Sequence, residues 1–285
     1  FQSQSTVNNT GAPASFINPG GNDQVPSYNA IAQNMTCNLL QDSVFGIPVS
    51  GVGCVGNPTY YTASVFPTPY LAHMITDSAC ANQNLTIPSF TACPANSVTT
   101  WTNSNTSIGL AATGTANIGS FTGTNNTNTL NSGIINAVPT ANGCVGNDSS
   151  FTIVIKPLPT ITISSYTACP ADVVPSPTIT TDPATGVNYT WANNNTSTGM
   201  AASGTGMPAS FTAAANNTPV NINGIVTYTP TYNGCVGSPN TETVTIKPTP
   251  FVTPMPDEAY CPNQVVPQIN FTCTPSGGTP IFSYS

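Results

Sequence analysis

Gly53-Cys54-Val55-Gly56 returns as Gly143-Cys144-Val145-Gly146 and again as Gly234-Cys235-Val236-Gly237, at spacings of 90 and 91 residues. The reading of the whole chain turns on that recurrence. A proline pair follows each copy: Pro67 and Pro69, Pro157 and Pro159, Pro248 and Pro250. Trp101 and Trp191 lie 90 residues apart. So do Asn105-Thr106-Ser107 and Asn195-Thr196-Ser197, each leading into a Gly-x-Ala-Ala stretch (109–112 and 199–202). Ser-Phe pairs occur at Ser15-Phe16, Ser120-Phe121 and Ser210-Phe211, and the only two lysines, Lys156 and Lys247, fall in register. A fixed period of this length marks copies of one folded unit. It divides the chain into a first module over 1–69, expected to be incomplete at its start and to carry a loop insertion around 20–38. A second module covers 70–159, a third 160–250, and a fourth begins at 251 and runs to 285.

Within a module the pattern is that of strands. In Phe151-Thr152-Ile153-Val154-Ile155-Lys156, residues Phe151, Ile153 and Ile155 share one face at period two. The same phase gives Val244 and Ile246 in the third module and Tyr61, Ala63 and Val65 in the first. Upstream, Ile225–Thr229 reads as a second strand ending at Pro230, and Tyr232-Asn233-Gly234 supplies the turn of a hairpin. Short strands between Gly, Asn and Pro turns predict an all-β fold of tandem immunoglobulin-like β-sandwich modules. Proline fixes φ and restricts the residue before it. The Pro-x-Pro joints therefore predict an elongated array, each module spanning roughly 35–45 Å.

Composition narrows the function. Only 4% of residues are charged and there is no arginine, against a usual charged share of about 25%. Thr, Asn and Ser take over the solvent-facing role of Lys and Glu. The net charge of −7 excludes nucleic acid, which is bound by neutralising phosphates, and offers nothing to anionic lipid. No apolar run approaches the roughly 20 residues of a spanning helix, so no membrane insertion is expected. The chain opens at Phe1 without a charged or apolar leader, so a signal peptide is expected to have been removed or to lie upstream.

Nine cysteines without a CxxC pair, beside a single histidine, argue for disulfides in an oxidising compartment rather than for zinc. Cys169–Cys235 is the one pairing inside the third module and Cys37–Cys54 the one inside the first. Cys261–Cys273 is expected in the fourth. In the second, Cys80 faces either Cys93 or Cys144, with Cys80–Cys144 favoured by analogy with the third. Cys93 is matched by position to Cys273.

Catalytic chemistry finds no constellation. The lone His73 sits beside a joint and reads as structural. Asp257 and Glu258 are neighbours that a strand would point to opposite faces. With Asp77 they are candidate calcium oxygens at a module junction. Trp101 and Trp191, each at a fixed place after a threonine, read as core aromatics whose indole N–H groups need a buried acceptor rather than as sugar platforms. Asn84, Asn105, Asn195 and Asn270 head Asn-x-Ser/Thr sequons. No enzyme and no cofactor are expected.

The opening Cys-Pro (Cys169-Pro170, Cys261-Pro262), the Tyr189-Thr190-Trp191 strand, the Gly-Cys-x-Gly turn and the Thr245-Ile246-Lys247-Pro248 exit resemble the PKD-like and immunoglobulin-like repeats of giant Bacteroidetes cell-surface adhesins of the SprB-like gliding type. The resemblance covers nearly all of the second and third modules. It implies a structural stalk of an extracellular, cell-surface adhesin or filament serving surface attachment and gliding motility, exported by the type 9 secretion system. The partners it implies are an extracellular surface or polysaccharide, neighbouring modules, and the secretion and motility machinery. It also makes Ser43 and Ser78, in Asp-Ser-small tripeptides, candidates for O-glycosylation. Two other readings remain open: a glycan-binding module acting through sandwich-end loops, above all the 20–38 insertion, and an accessory β domain of a secreted hydrolase.

Overall fold

Thr-, Val- and Ile-rich segments form strands along the chain, and Asn, Gly and Pro fall in the turns between them, as their backbone preferences require. The computed structural model describes residues 2–5, 15–17, 29–30, 34–72 and 74–275. His73 and most of the 20–38 segment lie outside the described residues. The chain divides into two units, residues 1–156 and 157–285.

In the first unit, Ser15–Ile17, Gln2–Ser5, Leu40–Ile47 and Thr59–Val65 form an antiparallel sheet in that spatial order. From residue 70 on, a separate set of strands pairs. Thr113–Thr115, Val98–Asn103, Asn131–Ala141, Ser149–Lys156 and Asp77–Cys80 make one sheet in that order, antiparallel except for its last pair, where Ile153 stands beside Asp77 and Lys156 beside Cys80 in parallel. Two short ladders supply the facing layer: Tyr70–Leu71 with Ala92–Cys93, and Asn84–Leu85 with Phe121–Thr122.

The second unit repeats that plan. Its main sheet runs Tyr166–Ala168, Asn240–Ile246, Ile222–Tyr232, Asn188–Asn193 and Ser203–Thr205, again with one parallel pair, Tyr166 beside Val244. Thr160–Ile163 pairs with Ile179–Asp182, and Val173–Val174 with Phe211–Thr212. Phe251–Val252 and Cys273–Thr274 form a further ladder near the end.

The period-two reading holds where a second layer is present. Phe151, Ile153 and Ile155 are buried, as are Val244 and Ile246. It fails at Tyr61, which is 65% exposed although in phase with buried Ala63. Strand phase decides the side a residue faces, whereas cover depends on what packs there. The hairpin also needs correcting. The strand continues through Pro230 to Tyr232, and Pro139 occupies the same place in Asn131–Ala141. Proline cannot donate to a ladder, but on one side the neighbouring strand has already left, its last pairs being Ala137 with Ser149 and Tyr228 with Asn240. The proline carbonyls remain useful: Pro139 O accepts from Gly146 N and Pro230 O from Gly237 N, both at 2.9 Å.

Trp101 and Trp191 are core residues, 7% and 8% exposed. Their ladder partners are Gly114 and Gly204, and each indole lies over the glycine. A Cβ at Gly204 would stand 2.5 Å from Trp191 Cζ2, and one at Gly114 2.2 Å from Trp101 Cζ2. The expected acceptor for the indole is missing: Nε1 of both is buried without a hydrogen-bond partner among the described residues. Glycine brings backbone, not a side-chain oxygen, against the ring. Gly204→Ala should force the indole off its seat and destabilise the second unit by about 1–3 kcal/mol. Urea unfolding followed by tryptophan fluorescence measures this, and an unchanged midpoint would refute the packing.

Candidate functional site

The chemistry of this chain is concentrated where one repeat hands over to the next, and a buried asparagine organises each handover. Asn34, Asn125 and Asn216 are spaced by 91 residues, each followed two positions later by a threonine. They are 2%, 8% and 0% exposed. In every copy Nδ2 donates twice. One bond goes to the carbonyl four residues on, Asn38 at 2.9 Å, Thr129 at 2.7 Å and Val220 at 2.8 Å. The other crosses to the last inward residue of the final strand, Val65 at 3.0 Å, Ile155 at 2.8 Å and Ile246 at 3.0 Å. Oδ1 accepts from the backbone N–H and the hydroxyl of Thr36, Thr127 or Thr218. The side chain thus closes a turn and pins it to the exit strand. The asparagine's own carbonyl takes the joint: Thr68 N donates to Asn34 O and Thr249 N to Asn216 O, each at 2.8 Å. Residues 34–38 therefore belong to the repeat, which corrects the end of the insertion placed at 20–38.

The Gly-Cys-Val-Gly string builds the opposite end of its own repeat. Asn142-Gly143 and Asn233-Gly234 have positive φ throughout, 50° and 77°, then 49° and 83°, the requirement of a two-residue hairpin turn that follows the sheet twist. The last glycine permits close approach. A Cβ at Gly146 would be 2.0 Å from the Pro69 carbonyl oxygen, and one at Gly237 1.8 Å from that of Pro159. Asn147 N also donates to Pro69 O at 3.2 Å. The entry proline is thus packed onto the turn of its own repeat. The valine between points outward, 70%, 70% and 59% exposed at Val55, Val145 and Val236.

This layout corrects the cysteine pairings. Cys37 is bonded to Cys93, with Cα atoms 5.2 Å apart. Cys54, Cys144, Cys169, Cys261 and Cys273 carry free thiols. Cys37–Cys54, Cys80–Cys144, Cys80–Cys93, Cys169–Cys235 and Cys261–Cys273 therefore do not form. Cys80 stands beside Lys156 and Cys169 follows Ala168, the neighbour of Ile246, so both lie at exit ends. Cys144 and Cys235 sit in the entry-end turns. Strands of eight and seven residues separate those ends, about 20 Å, whereas a disulfide needs Cα atoms within about 7 Å. The Leu40–Ile47 strand separates Cys37 from Cys54 in the same way. In the last segment Cys273 is drawn to Val252 by strand pairing and Cys261 lies in an exposed turn. Phe251 faces Thr274 as Tyr70 faces Cys93. Cys273 is therefore one residue off the match proposed for it, on the other face.

The remaining candidates are scattered. Asp77 Oδ1 accepts from Ser78 N at 2.7 Å. Asp257 and Glu258 are exposed, and Glu258 accepts the Tyr260 hydroxyl. Among the described residues no group of three His, Cys, Asp or Glu side chains could hold a metal. Ser78 is exposed on an edge strand, and Ser43 is half-buried beside buried Asp42. Of the sequons, Asn105 and Asn195 cap short 3-10 turns through Oδ1 and donate Nδ2 to Ser132 O and Asn223 O, both at 2.9 Å. Asn84 and Asn270 are exposed.

One buried carboxyl escaped the sequence reading. Glu242 is 2% exposed, and its Oε1 accepts the Tyr228 hydroxyl at 2.6 Å. Ninety-one residues earlier the same two positions are Phe151 and Ala137, so a large–small apolar pair is exchanged for a hydrogen-bonded polar one. Burial pushes the Glu242 carboxyl above its ordinary range, with the tyrosine bond opposing in part. Burial first, then the bond to Glu242, pushes the Tyr228 hydroxyl upward.

No protein-family model matches the chain, and no curated protein matches it. Solved structures with a similar arrangement include the IG1+IG2 pair of DIP-gamma, at 8% identity and a TM-score of 0.36 over 64% of this chain and 98% of that one. The human desmocollin-1 ectodomain is similar at 12% identity and 0.36, over 73% of this chain and 48% of that one. Drosophila N-cadherin EC1–4 is similar at 13% and 0.37, over 79% and 60%. These likenesses concern fold alone. The sheets themselves define the class: an all-β chain of immunoglobulin-like sandwich repeats.

Two outcomes test the site. Asn216→Ala strips the Ile246 and Val220 carbonyls of their donor and should cost about 3 kcal/mol, read by chemical denaturation, while Asn217→Ala beside it should be near neutral. Because the folded-state pKa of Glu242 lies above its unfolded value, its contribution is fully present below the unfolded pKa and is lost as pH rises through the folded one. The second unit should therefore weaken from acid toward neutral pH, and Glu242→Gln should flatten that dependence in a pH series of melting temperatures.

Proposed function

We propose that the chain is a structural stalk: a run of immunoglobulin-like repeats in an extracellular, cell-surface adhesin or filament, without catalysis and without cofactor. The observation that carries the reading is the repeated handover. The same buried asparagine pins the exit loop and takes the joint's amide at Thr68 and Thr249, and the same glycine seats the entry proline. Hardware duplicated at joints serves continuity along a chain rather than a single cleft. The Cys37–Cys93 bond suits an oxidising compartment, and a Thr- and Asn-rich surface with 4% charge gives weak, salt-insensitive contacts.

The finer reading follows from the resemblance to giant Bacteroidetes adhesins: surface attachment during gliding, export by type 9 secretion, and contact with polysaccharide or another extracellular surface. A lectin reading, through the loops of residues 20–38, makes a different prediction on a glycan array, namely reproducible binding that deletion of those residues abolishes.

Rotary-shadowed electron microscopy of the chain and of a variant lacking residues 70–159 tests the stalk. Each repeat should add roughly 35–45 Å of particle length. Round particles whose longest dimension ignores repeat number would defeat it.

A further inference from the structure

The first joint carries a device that its asparagine loop does not itself require. The Asn34 loop holds a cysteine three residues after the asparagine. The same place is Asn128 in the second copy and Pro219 in the third. Cys37 reaches Cys93, which lies in the ladder partner of Tyr70–Leu71, the strand that begins immediately after Pro69. The bond therefore leaves the exit loop of the first repeat and lands at the entry end of the second. It encloses the Leu40–Ile47 and Thr59–Val65 hairpin, the Pro67-Thr68-Pro69 joint and the Tyr70–Leu71 strand.

We propose that Cys37–Cys93 is a covalent load bypass. The inference deepens the stalk reading and rests on it for its purpose, although the geometry stands by itself. Tension arriving at Cys37 passes through the two sulfur atoms to Cys93, so the Leu40–Ile47 and Thr59–Val65 hairpin and the Pro67-Thr68-Pro69 joint are taken out of the loaded path. Without the bond, load would run down the hairpin and through the joint. There it would be resisted by the hydrogen bonds of Thr68 N to Asn34 O and Asn147 N to Pro69 O, at 2.8 and 3.2 Å, and by the packing of Gly146 on Pro69. Hydrogen bonds at one joint yield far more readily than a covalent bond. The bridged cysteines are 56 residues apart in sequence but 5.2 Å apart in space, so the bypass removes nearly all of that length from the extensible chain.

Single-molecule pulling on the full chain tests this, with non-thiol attachments at Asn29 and Asp148, which flank the bond. Replacing Cys93 by Ser should lengthen the fully unfolded tether between the attachments by about 190 Å, at about 3.4 Å per freed residue. Cys37→Ser should give the same gain, which keeps the test valid if one variant folds poorly. Cys54→Ser, at a free thiol, should give none. Equal tether lengths in the parent chain and both bridge variants would overturn the proposal. The stalk reading fails separately, on particle length, because tether length reports the covalent path in a chain of any shape.

Discussion

The structure depends on how a chain nearly without charges satisfies buried backbone polar groups at the ends of its sandwiches. The carbonyl at the last inward position of the exit strand lies where its antiparallel ladder ends, opposite the first residue of the neighbouring strand (Leu40, Asn131 or Ile222), and a buried carbonyl left unpaired costs about 1–3 kcal/mol. The buried asparagine amide answers this at Val65, Ile155 and Ile246. An ionised side chain would pay far more for the same burial. Asparagine offers two donors and an acceptor without charge, so it closes the turn, reaches the strand and organises the threonine together. The same logic holds at Asn103 and Asn193, whose amides donate to the carbonyls of Leu110 and Met200. The Asn and Thr content that first reads as a surface feature is in part the internal wiring of the fold.

The repeats share this wiring but are not identical. The second fills one core position with Phe151 against Ala137, and the third with Glu242 against Tyr228. Both solutions seat a tryptophan over a glycine. The exchange makes the stability of the third repeat depend on acidity where that of the second has no buried carboxyl at that place. The first joint adds the Cys37–Cys93 bond to the hydrogen bonds and packing of the handover, so its response to force depends on reductant.

Much of the fold was legible because its constraints are local. Period-two alternation identified the Ser149–Lys156 and Asn240–Ile246 strands. Asn-Gly before the cysteine marked a hairpin, and a tryptophan at fixed phase marked the core. The candidate site was less legible. Asn34, Asn125 and Asn216 keep a 91-residue period, and that signal was available, but in a chain so rich in asparagine it is hidden among chance sequons. The role of the last glycine in Gly-Cys-Val-Gly was invisible, because the group that excludes a Cβ there, Pro69 or Pro159, lies far away in sequence. Glu242 shares the inward phase of Val244 and Ile246, but nothing along the sequence shows that the Tyr228 hydroxyl is within its reach.

By itself the sequence determined the repeat, the strand content and the turns, because these follow from residue spacing and backbone preference, which act between near neighbours. Only the tertiary structure decided which cysteines meet. Counting them within a repeat pairs Cys80 with Cys144 and Cys169 with Cys235, yet a strand of seven or eight residues holds the members of each pair at opposite ends of a sandwich. A disulfide obeys distance in space, and the length of a β-strand sets that distance whatever the order of residues along the chain.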